Sequence, residues 1–348
     1  MAIIISVRSS QDQATKPVYL GDSHQTKGGD STMLPASTLL RMNMLESGED
    51  RALAAASHFL PCALLANSFQ TSHQLSGVAI RLANMGDHQD RQFEQDKSRY
   101  VIPGGSVERD RLRVQHEWIK GTAGGLIKAP LDLTAQGMKV LDSATADGFW
   151  IHDVRLVLPD DTEYVGFDIA VTEPFPPAWE NSFDLINQRL LFAFFQRQEI
   201  NQIVKRLVGC LKPGGWIQFF EYDHYTMVTD PQATTYLLFY KFAEQKVRNL
   251  HVKRDIMDAL ADAGCEHIQS ECLEMVAGSA HVDREQGMRG RRVSRVLFHS
   301  FGSLVKLEDI GLSEDRRPSL AAELEKDMDM YKTGVAGNFI WAQKPEGI

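Results

Sequence analysis

The spacing of apolar residues divides this chain into two parts. From about residue 106, short apolar runs typical of buried strands alternate with stretches whose apolar residues recur at helical spacing. Residues 1–95 show no such periodicity, and small polar residues dominate 8–35. We therefore predict a poorly ordered N-terminal extension over 1–95, with a candidate helix within 48–68, and a folded domain over 96–348.

The folded part is predicted to begin with one or two helices over 107–127, capped by Ser106. Four buried strands are expected, at 139–142, 164–168, 182–186 and 216–221. Further helices are expected at 200–211, 231–248 and 253–263, and late strands at 266–275 and 338–342. Alternation of this kind predicts an α/β domain whose mostly parallel sheet is covered by helices on both faces.

Composition excludes several classes of protein. The 348 residues are 43% hydrophobic and 24% charged, as in an ordinary globular domain. A net charge of −9 argues against a nucleic-acid binder, and we interpret the local cluster of Arg289, Arg291, Arg292 and Arg295 as a solvated helix or loop face. The four cysteines form no CxxC pair, so no metal site is predicted. With no stretch long enough to span a membrane, we expect a cytoplasmic protein.

Three segments carry a family resemblance. They are Val140–Trp150, Tyr164–Ile169, and Ser182–Leu191 with the following Leu-Lys-Pro-Gly-Gly-Trp at 211–216. Together they resemble the fungal branch of class I S-adenosylmethionine-dependent methyltransferases, which includes enzymes of secondary metabolism and LaeA-like regulators; the helix at 108–118 is similar too. The resemblance implies a Rossmann-like fold, bound S-adenosylmethionine, and methylation of an O, N or S atom of a small secondary metabolite.

The first segment should form the turn that holds the cofactor. In such a fold, small residues after the first strand let the backbone approach the ligand, and a helix N-terminus supplies amide donors. The predicted residues of this turn are Asp142, Ser143, Ala144, Thr145 and Gly148. Without a ligand, the same segment would be only a tight strand–helix connection.

The next two strands should supply the remaining cofactor contacts. Asp168, with Ile169 beside it, ends the second strand at a spacing from Asp142 close to the roughly 20 residues expected for an acid that accepts ribose hydroxyls; otherwise it is a loop carboxylate. By resemblance, the backbone of Asn187 and Gln188 lines the methionine part of the cofactor. Arg189 joins this site or, alternatively, caps a helix or pairs with an acid.

Methyl transfer requires little of the protein beyond alignment and exclusion of water, and a general base is optional. The predicted candidates for that base are His116 and His224, with Asp223 beside the latter, although a single histidine is more often structural. Aromatic residues could line a substrate pocket or pack in the core, and these are Trp118, Tyr222, Tyr225 and Phe239.

Two departures from the family pattern bear on activity. The turn commonly reads Asp-x-Gly-Thr-Gly, but here alanines stand at 144 and 146, where a positive φ would cost about 1 kcal/mol or more. The 14 residues of 169–182 are too few for the usual helix and outer strand, since a crossover needs at least about 10–12 residues. The second strand is therefore expected to be a sheet edge, which could favour pairing into a homodimer.

These departures keep three hypotheses open. The first is a methyltransferase acting on a small molecule. The second is the same fold without methylation, as a regulatory partner or cofactor-binding scaffold. The third is a nonfunctional product of a truncated gene, whose exposed strand edge would make it poorly soluble.

Overall fold

The computed structural model describes residues 3–7, 80–82, 106–168 and 175–347. All of them belong to one compact unit of the chain. The candidate helix within 48–68 lies outside the described residues. The same holds for the predicted poor order of 1–95, apart from two short strands that join the sheet.

In the residues that the structure describes, eight strands form a single sheet. Their bounds are β1 Ile3–Val7, β2 Ile80–Leu82, β3 Lys139–Ser143, β4 Glu163–Phe167, β5 Phe183–Arg189, β6 Leu211–Asp223, β7 Glu266–Ala277 and β8 Thr333–Gln343. The order across the sheet is β2-β1-β4-β3-β5-β6-β8-β7. The central strands β3 to β6 are parallel, and the strands outside them pair antiparallel. The predicted α/β class with a parallel centre is confirmed.

Seven α-helices accompany the sheet in the described residues. They are α1 Ser106–Ala123, α2 Phe149–Val154, α3 Arg197–Cys210, α4 Leu237–Lys246, α5 Val252–Asp262, α6 Arg284–Ser303 and α7 Leu320–Met330. Neighbouring residues of a strand point to opposite faces, so Val140 packs with Trp150 of α2, whereas Leu141 joins the larger cluster that contains Ile203 of α3. Apolar side chains thus cover both faces of the sheet.

The Lys-Pro-Gly-Gly segment at 212–215 lies within a strand, and not between the helix predicted at 200–211 and the strand predicted at 216–221. Helix α3 starts with a capping box between Gln196 and Glu199 and ends at Cys210, and β6 begins directly at Leu211. Lys212–Gly215 is therefore an irregularity within β6, where the β5–β6 register shifts. A side chain at Gly215 would collide with the carbonyl oxygens of Lys212 and Phe183, which explains the glycine there.

The expectation that the second strand is a sheet edge is wrong. Strand β4 pairs antiparallel with β1, from Ile4 opposite Phe167 to Val7 opposite Tyr164. A strand from the N-terminal region thus takes the outer place that the short 169–182 interval cannot fill. The described part of that interval forms a 3-10 turn at Pro177–Trp179, which packs Trp179 edge-on against Phe167 and Phe183.

Helix α6 carries the basic cluster that the sequence showed. Arg291 bonds Glu325 at 2.8 Å and also contacts Asp329, and Arg289 contacts Glu285 one turn before it. Acidic side chains thus neutralise much of this face, in line with a solvated helix surface. Among the described helices, none combines the length and apolar character that crossing a membrane requires.

Candidate functional site

A cavity of about 510 Å³ lies where the central parallel strands reach their carboxyl ends. Ligands of open parallel sheets bind at this position. The turns after β3 and β5 and the ends of β4 and β6 form its floor, and residues of α1, α4 and α6 complete its walls. Its volume falls within the range of roughly 300–1,000 Å³ that small-molecule sites occupy.

The turn after β3 holds left-handed backbone at every second residue. Ala144 has φ 57° and Ala146 has φ 51°, and Gly148 follows with φ 78°. Ala144, Thr145, Ala146 and Asp147 line the cavity. Alanine at a left-handed position carries a Cβ clash worth about 1 kcal/mol or more. The predicted strain is therefore present, and the turn keeps the shape that glycines would give it.

Asp142 fixes this turn from below. Its buried carboxylate accepts hydrogen bonds from Thr145 Oγ1 and from Asn187 Nδ2, both at 2.7 Å. The Thr145 amide also donates to the carbonyl oxygen of Phe167 at 3.1 Å, which ties the turn to β4. Burial raises the pKa of Asp142, while the nearby Arg189 and these hydrogen bonds work against that shift.

A row of three buried polar side chains, one carboxylate and two amides, extends this support across the sheet; we call it the amide row. Asp142, Asn187 and Gln218 stand side by side in register on β3, β5 and β6. Gln218 Nε2 donates to Asn187 Oδ1 at 2.9 Å and to the carbonyl of Leu126 at 2.8 Å, and its Oε1 accepts from the Lys128 amide at 2.9 Å. These side chains hold the turn and the segment after α1 in fixed relation.

The predicted site residues divide into two groups. Six of them line the cavity, namely His116, Ala144, Thr145, Asp168, Arg189 and His224. Five do not line it, namely Asp142, Ser143, Gly148, Asn187 and Gln188. The side chain of Ser143 bonds Gln188 at 3.1 Å inside the sheet. Ile169 lies outside the described residues. For these six and five residues, contact with a cofactor or substrate remains a prediction.

His116 is held on both ring nitrogens. Its Nε2 lies 3.1 Å from Asp153 Oδ2, and its Nδ1 lies 3.2 Å from Arg189 Nη1. Burial, together with the Arg189 charge, lowers the pKa of His116 to about 4. A neutral ring that donates to Asp153 and accepts from Arg189 has no nitrogen left for a substrate proton. The geometry therefore favours a positioning role for His116, with Arg189 as the group it positions.

Asp153 also belongs to a cluster with the spacing of metal ligands. His116, Glu117 and Asp153 bring three ligand atoms within 4.8 Å of one another. Lys120, however, bonds Glu117 at 3.1 Å and contacts Asp153 directly. Its ammonium group supplies the positive charge between the two carboxylates, so these residues form an ion-pair cluster.

Helix α1 supplies a polar stripe that the motif analysis missed. Arg111 Nε and Nη2 pair with the Glu108 carboxylate at 2.7 and 2.6 Å, and its Nη1 donates to Gln115 at 2.7 Å. Gln115 Nε2 continues to the Tyr222 hydroxyl at 2.6 Å. All four line the cavity. Glu108, Arg111 and Gln115 are spaced three and four residues apart on α1, so they share one face of the helix. This spacing was the signal in the sequence that could have revealed them.

Glu221 is a second residue that sequence reasoning missed. Its side chain is 2% exposed and lines the cavity at the end of β6. One oxygen, Oε1, accepts hydrogen bonds from the Leu191 amide at 2.8 Å and the Phe192 amide at 2.9 Å. Burial outweighs these bonds and raises the pKa of Glu221 to about 7. No local sequence motif identifies such a residue, because the groups that surround it belong to β5 and the turn after it, about 30 residues away in the chain.

The far wall of the cavity is apolar. It is built by the turn after β5, by α4 and by α6, and includes Phe194, Phe195, Phe239, Leu297 and Phe301. Among the aromatic residues considered from sequence, Phe239 and Tyr222 line this cavity, whereas Trp118 packs in the core and Tyr225 stacks on His251 at the surface.

The strand order, the left-handed turn after β3 and the cavity at the carboxyl ends define a class I methyltransferase fold. No protein-family model matches the chain. Curated relatives do: the N-methyltransferase verN of Clonostachys rogersoniana is 35% identical over 274 residues, which cover 73% of this chain and 96% of verN. The N-methyltransferase sirN of Leptosphaeria maculans is 31% identical, over 72% of this chain and 96% of sirN.

A third relative, the N-methyltransferase gliN of Aspergillus fumigatus, is 25% identical over 71% of this chain and 96% of gliN. The chain belongs to this family of fungal N-methyltransferases. The predicted methyltransferase class and its fungal branch are thereby confirmed. Because β1 covers the edge of β4, the exposed edge from which the nonfunctional-product hypothesis predicted poor solubility is absent from the described sheet.

Proposed function

We propose that the protein transfers a methyl group from S-adenosylmethionine to a nitrogen atom of a small secondary metabolite. The family supports the nitrogen, since the relatives reported above are named N-methyltransferases. The cavity supports a small substrate, because its volume of about 510 Å³ lies in the range of small-molecule sites.

The residues present fit S-adenosylmethionine. Asp168 at the end of β4 offers a carboxylate for the ribose hydroxyls, and the small side chains of Ala144 and Ala146 leave room for close backbone approach. Arg189 is half-buried, lines the cavity beside the turn and offers a positive charge for the carboxylate of the methionine part. The acids Asp147 and Asp168 suit its ammonium and sulfonium groups.

When bound, S-adenosylmethionine supplies an electrophilic methyl carbon. The protein therefore has only to align the reacting groups and to exclude water. The aromatic wall from α4 and α6 excludes water and packs against the substrate. His116 holds Arg189 in place through its Nδ1. His224, whose pKa is lowered by burial, is neutral at pH 7 and remains the sequence-predicted candidate for a base.

The observation that carries this proposal is the strained turn. Two alanines hold left-handed backbone at 144 and 146, a conformation that costs free energy and persists only where the surroundings impose it. Asp142, Thr145 and Asn187 impose it here. Left-handed backbone held by alanines in spite of its cost is expected where the shape of the turn binds a ligand.

Calorimetric titration of the protein with S-adenosylmethionine and with S-adenosylhomocysteine tests the cofactor. We expect saturable binding of both, weakened at least about tenfold by Asp168→Ala, which corresponds to about 1.4 kcal/mol. Absence of binding at millimolar concentration contradicts the proposal. Binding without methyl transfer to any N–H compound would instead favour the alternative of a cofactor-binding scaffold or regulatory partner.

A further inference from the structure

We infer that Glu221 is a catalytic residue whose carboxylate accepts the proton that the substrate nitrogen loses on methylation. The inference rests on the proposed N-methylation and adds to it the identity of the proton acceptor. It also defines the substrate class: the reacting nitrogen bears an N–H bond.

The geometry holds Glu221 ready for this role. The Leu190 amide donates to the Phe220 carbonyl at 2.8 Å, which fixes the end of β6 against the turn after β5. Glu221 Oε1 then accepts two backbone amides of that turn. Within the described residues, no side chain donates a hydrogen bond to this carboxylate. Glu221 lines the cavity, so a ligand bound there can approach its carboxylate.

The proton affinity of Glu221 suits the task. Efficient general bases have a pKa near the working pH, and burial brings the pKa of Glu221 to about 7. An ordinary surface carboxylate, with a pKa of about 4.3, would hold an abstracted proton too weakly.

Other charged groups also line the cavity. The acids are Glu108 of α1, Asp147 of the β3 turn, Asp168 of β4 and Asp223 of β6. The cationic and neutral groups are Arg111 and His116 of α1, Arg189 of β5, and His224, with the phenols Tyr222 and Tyr240. The lining residues of α6, Leu297 and Phe301, carry no charge.

The competing bases are less well prepared. Asp223 is committed to the Tyr225 and Thr226 amides and to Asn338, and these bonds lower its pKa despite burial. His224 is more exposed than Glu221, and within the described part of the chain its ring has no hydrogen bond comparable with the two amides that fix Glu221. Burial also raises the pKa of Asp147, to about 6, but Asp147 lies in the turn proposed to hold the cofactor. Among the acids left for the substrate, Glu221 thus combines a fixed carboxylate with a raised proton affinity.

The nitrogen lone pair forms the new bond to the methyl carbon, and the carbon–sulfur bond breaks with its electron pair remaining on sulfur. The N–H proton passes to the Glu221 carboxylate, which becomes a neutral acid. Release of that proton to solvent restores the base for the next turnover.

The chain offers a matched control for the test. Asp327 is also a buried carboxylate, and it accepts two consecutive backbone amides, from Thr235 at 2.7 Å and Tyr236 at 2.9 Å. It does not line the cavity. Glu221→Gln and Asp327→Asn each keep an oxygen that can accept those amides, so a purely structural role predicts similar behaviour of both variants.

The assay transfers labelled methyl from S-adenosylmethionine to three aromatic N–H probes, N-methylaniline, indole and phenylacetamide. For any probe that is methylated, we expect Glu221→Gln to lower kcat by about 10²–10⁴-fold, the usual contribution of a general base. Cofactor affinity and KM should stay within about twofold. Asp327→Asn should keep most of kcat. Full activity of Glu221→Gln, or a larger loss in His224→Gln, overturns the inference.

Infrared difference spectra of wild type against Glu221→Gln provide a second readout that needs no substrate. We expect a protonated carboxyl band that titrates near pH 7 and is missing from the variant. Its absence overturns the inference even if no probe is methylated. Failure of the proposed function is distinguishable, because it would appear as missing cofactor binding with the carboxyl band intact.

Discussion

The two polar sides of the cavity are built by different means. On the cofactor side, the turn after β3 presents backbone and small side chains, and its shape depends on a row of buried amides beneath it. On the opposite side, α1 and the end of β6 present long polar side chains, linked from Glu108 through Arg111 and Gln115 to Tyr222. One side is thus defined by main-chain conformation and the other by side-chain contacts.

This difference explains how the turn tolerates its alanines. The strain at Ala144 and Ala146 is local, and side-chain hydrogen bonds support the turn from below: Gln218 uses its donor and acceptor atoms, and Asp142 receives two donors. On the α1 side, by contrast, function depends on the protonation states of buried groups. Substitutions in the two regions should therefore differ in their effects on stability, pH dependence and affinity.

The largest effect is expected from breaking the amide row. Asn187→Ala leaves the buried Asp142 carboxylate and Gln218 amide each without one partner, and we expect a loss of about 4 kcal/mol in unfolding free energy, since each orphaned buried group costs about 1–3 kcal/mol or more if charged. Denaturant unfolding measures it. Asn201→Ala, at a partly exposed bond to Asp262, is the control and should cost less than about 0.5 kcal/mol. A loss equal to that of the control would contradict the supporting role of the row.

An intermediate effect concerns pH and the α1–β6 side. The folded pKa of Glu221 is about 7, above the ordinary 4.5, so the folded state binds this proton more tightly and loses stability as pH rises from about 4.5 to 7. Glu221→Gln removes this loss. Relative to wild type, the variant should gain on the order of 3 kcal/mol between pH 4.5 and pH 8. Unfolding curves across this range check the prediction, and a constant difference would refute it.

His116 should produce the opposite slope. Its folded pKa of about 4 lies below the ordinary 6.5, so its contribution is present above pH 6.5 and is lost as pH falls towards 4. In His116→Gln, which cannot titrate, the stability decrease on acidification should be smaller by on the order of 2 kcal/mol. An unchanged acid limb in the unfolding midpoints would show that His116 is not the neutral ring between Arg189 and Asp153.

The smallest effect is expected from restoring glycine to the turn. Ala144→Gly and Ala146→Gly each relieve the strain of a left-handed alanine. Because glycine also raises the conformational entropy of the unfolded chain, we expect a net gain in unfolding free energy of about 1 kcal/mol or less per site. Cofactor affinity should rise or stay equal, because the turn already has its binding shape. Calorimetry and thermal unfolding measure both. Ala135→Gly, in the loop before β3, controls for glycine itself; a lower Tm at 144 than at this control would contradict strain at Ala144.

Local pattern predicted the framework of the site well. The apolar runs placed β3 to β6 within a few residues, and the resemblance placed Ala144, Thr145, Asp168 and Arg189 at one cavity. The sequence reading did not predict the bounds of α6 and α7, and it did not anticipate that Asn187 and Gln188 are fully buried and do not line the cavity.

The sequence by itself determined the alternation of strands and helices and the acids at the strand ends, because periodicity and chain punctuation act between near neighbours. Only the tertiary structure decided which side chains meet. Pairing of β1 with β4 joins residues far apart in the chain, and the contacts of His116 with Arg189 and of Glu221 with the β5 turn do the same. Burial and charge at these contacts between residues distant in sequence set the proton affinities on which the proposed chemistry depends.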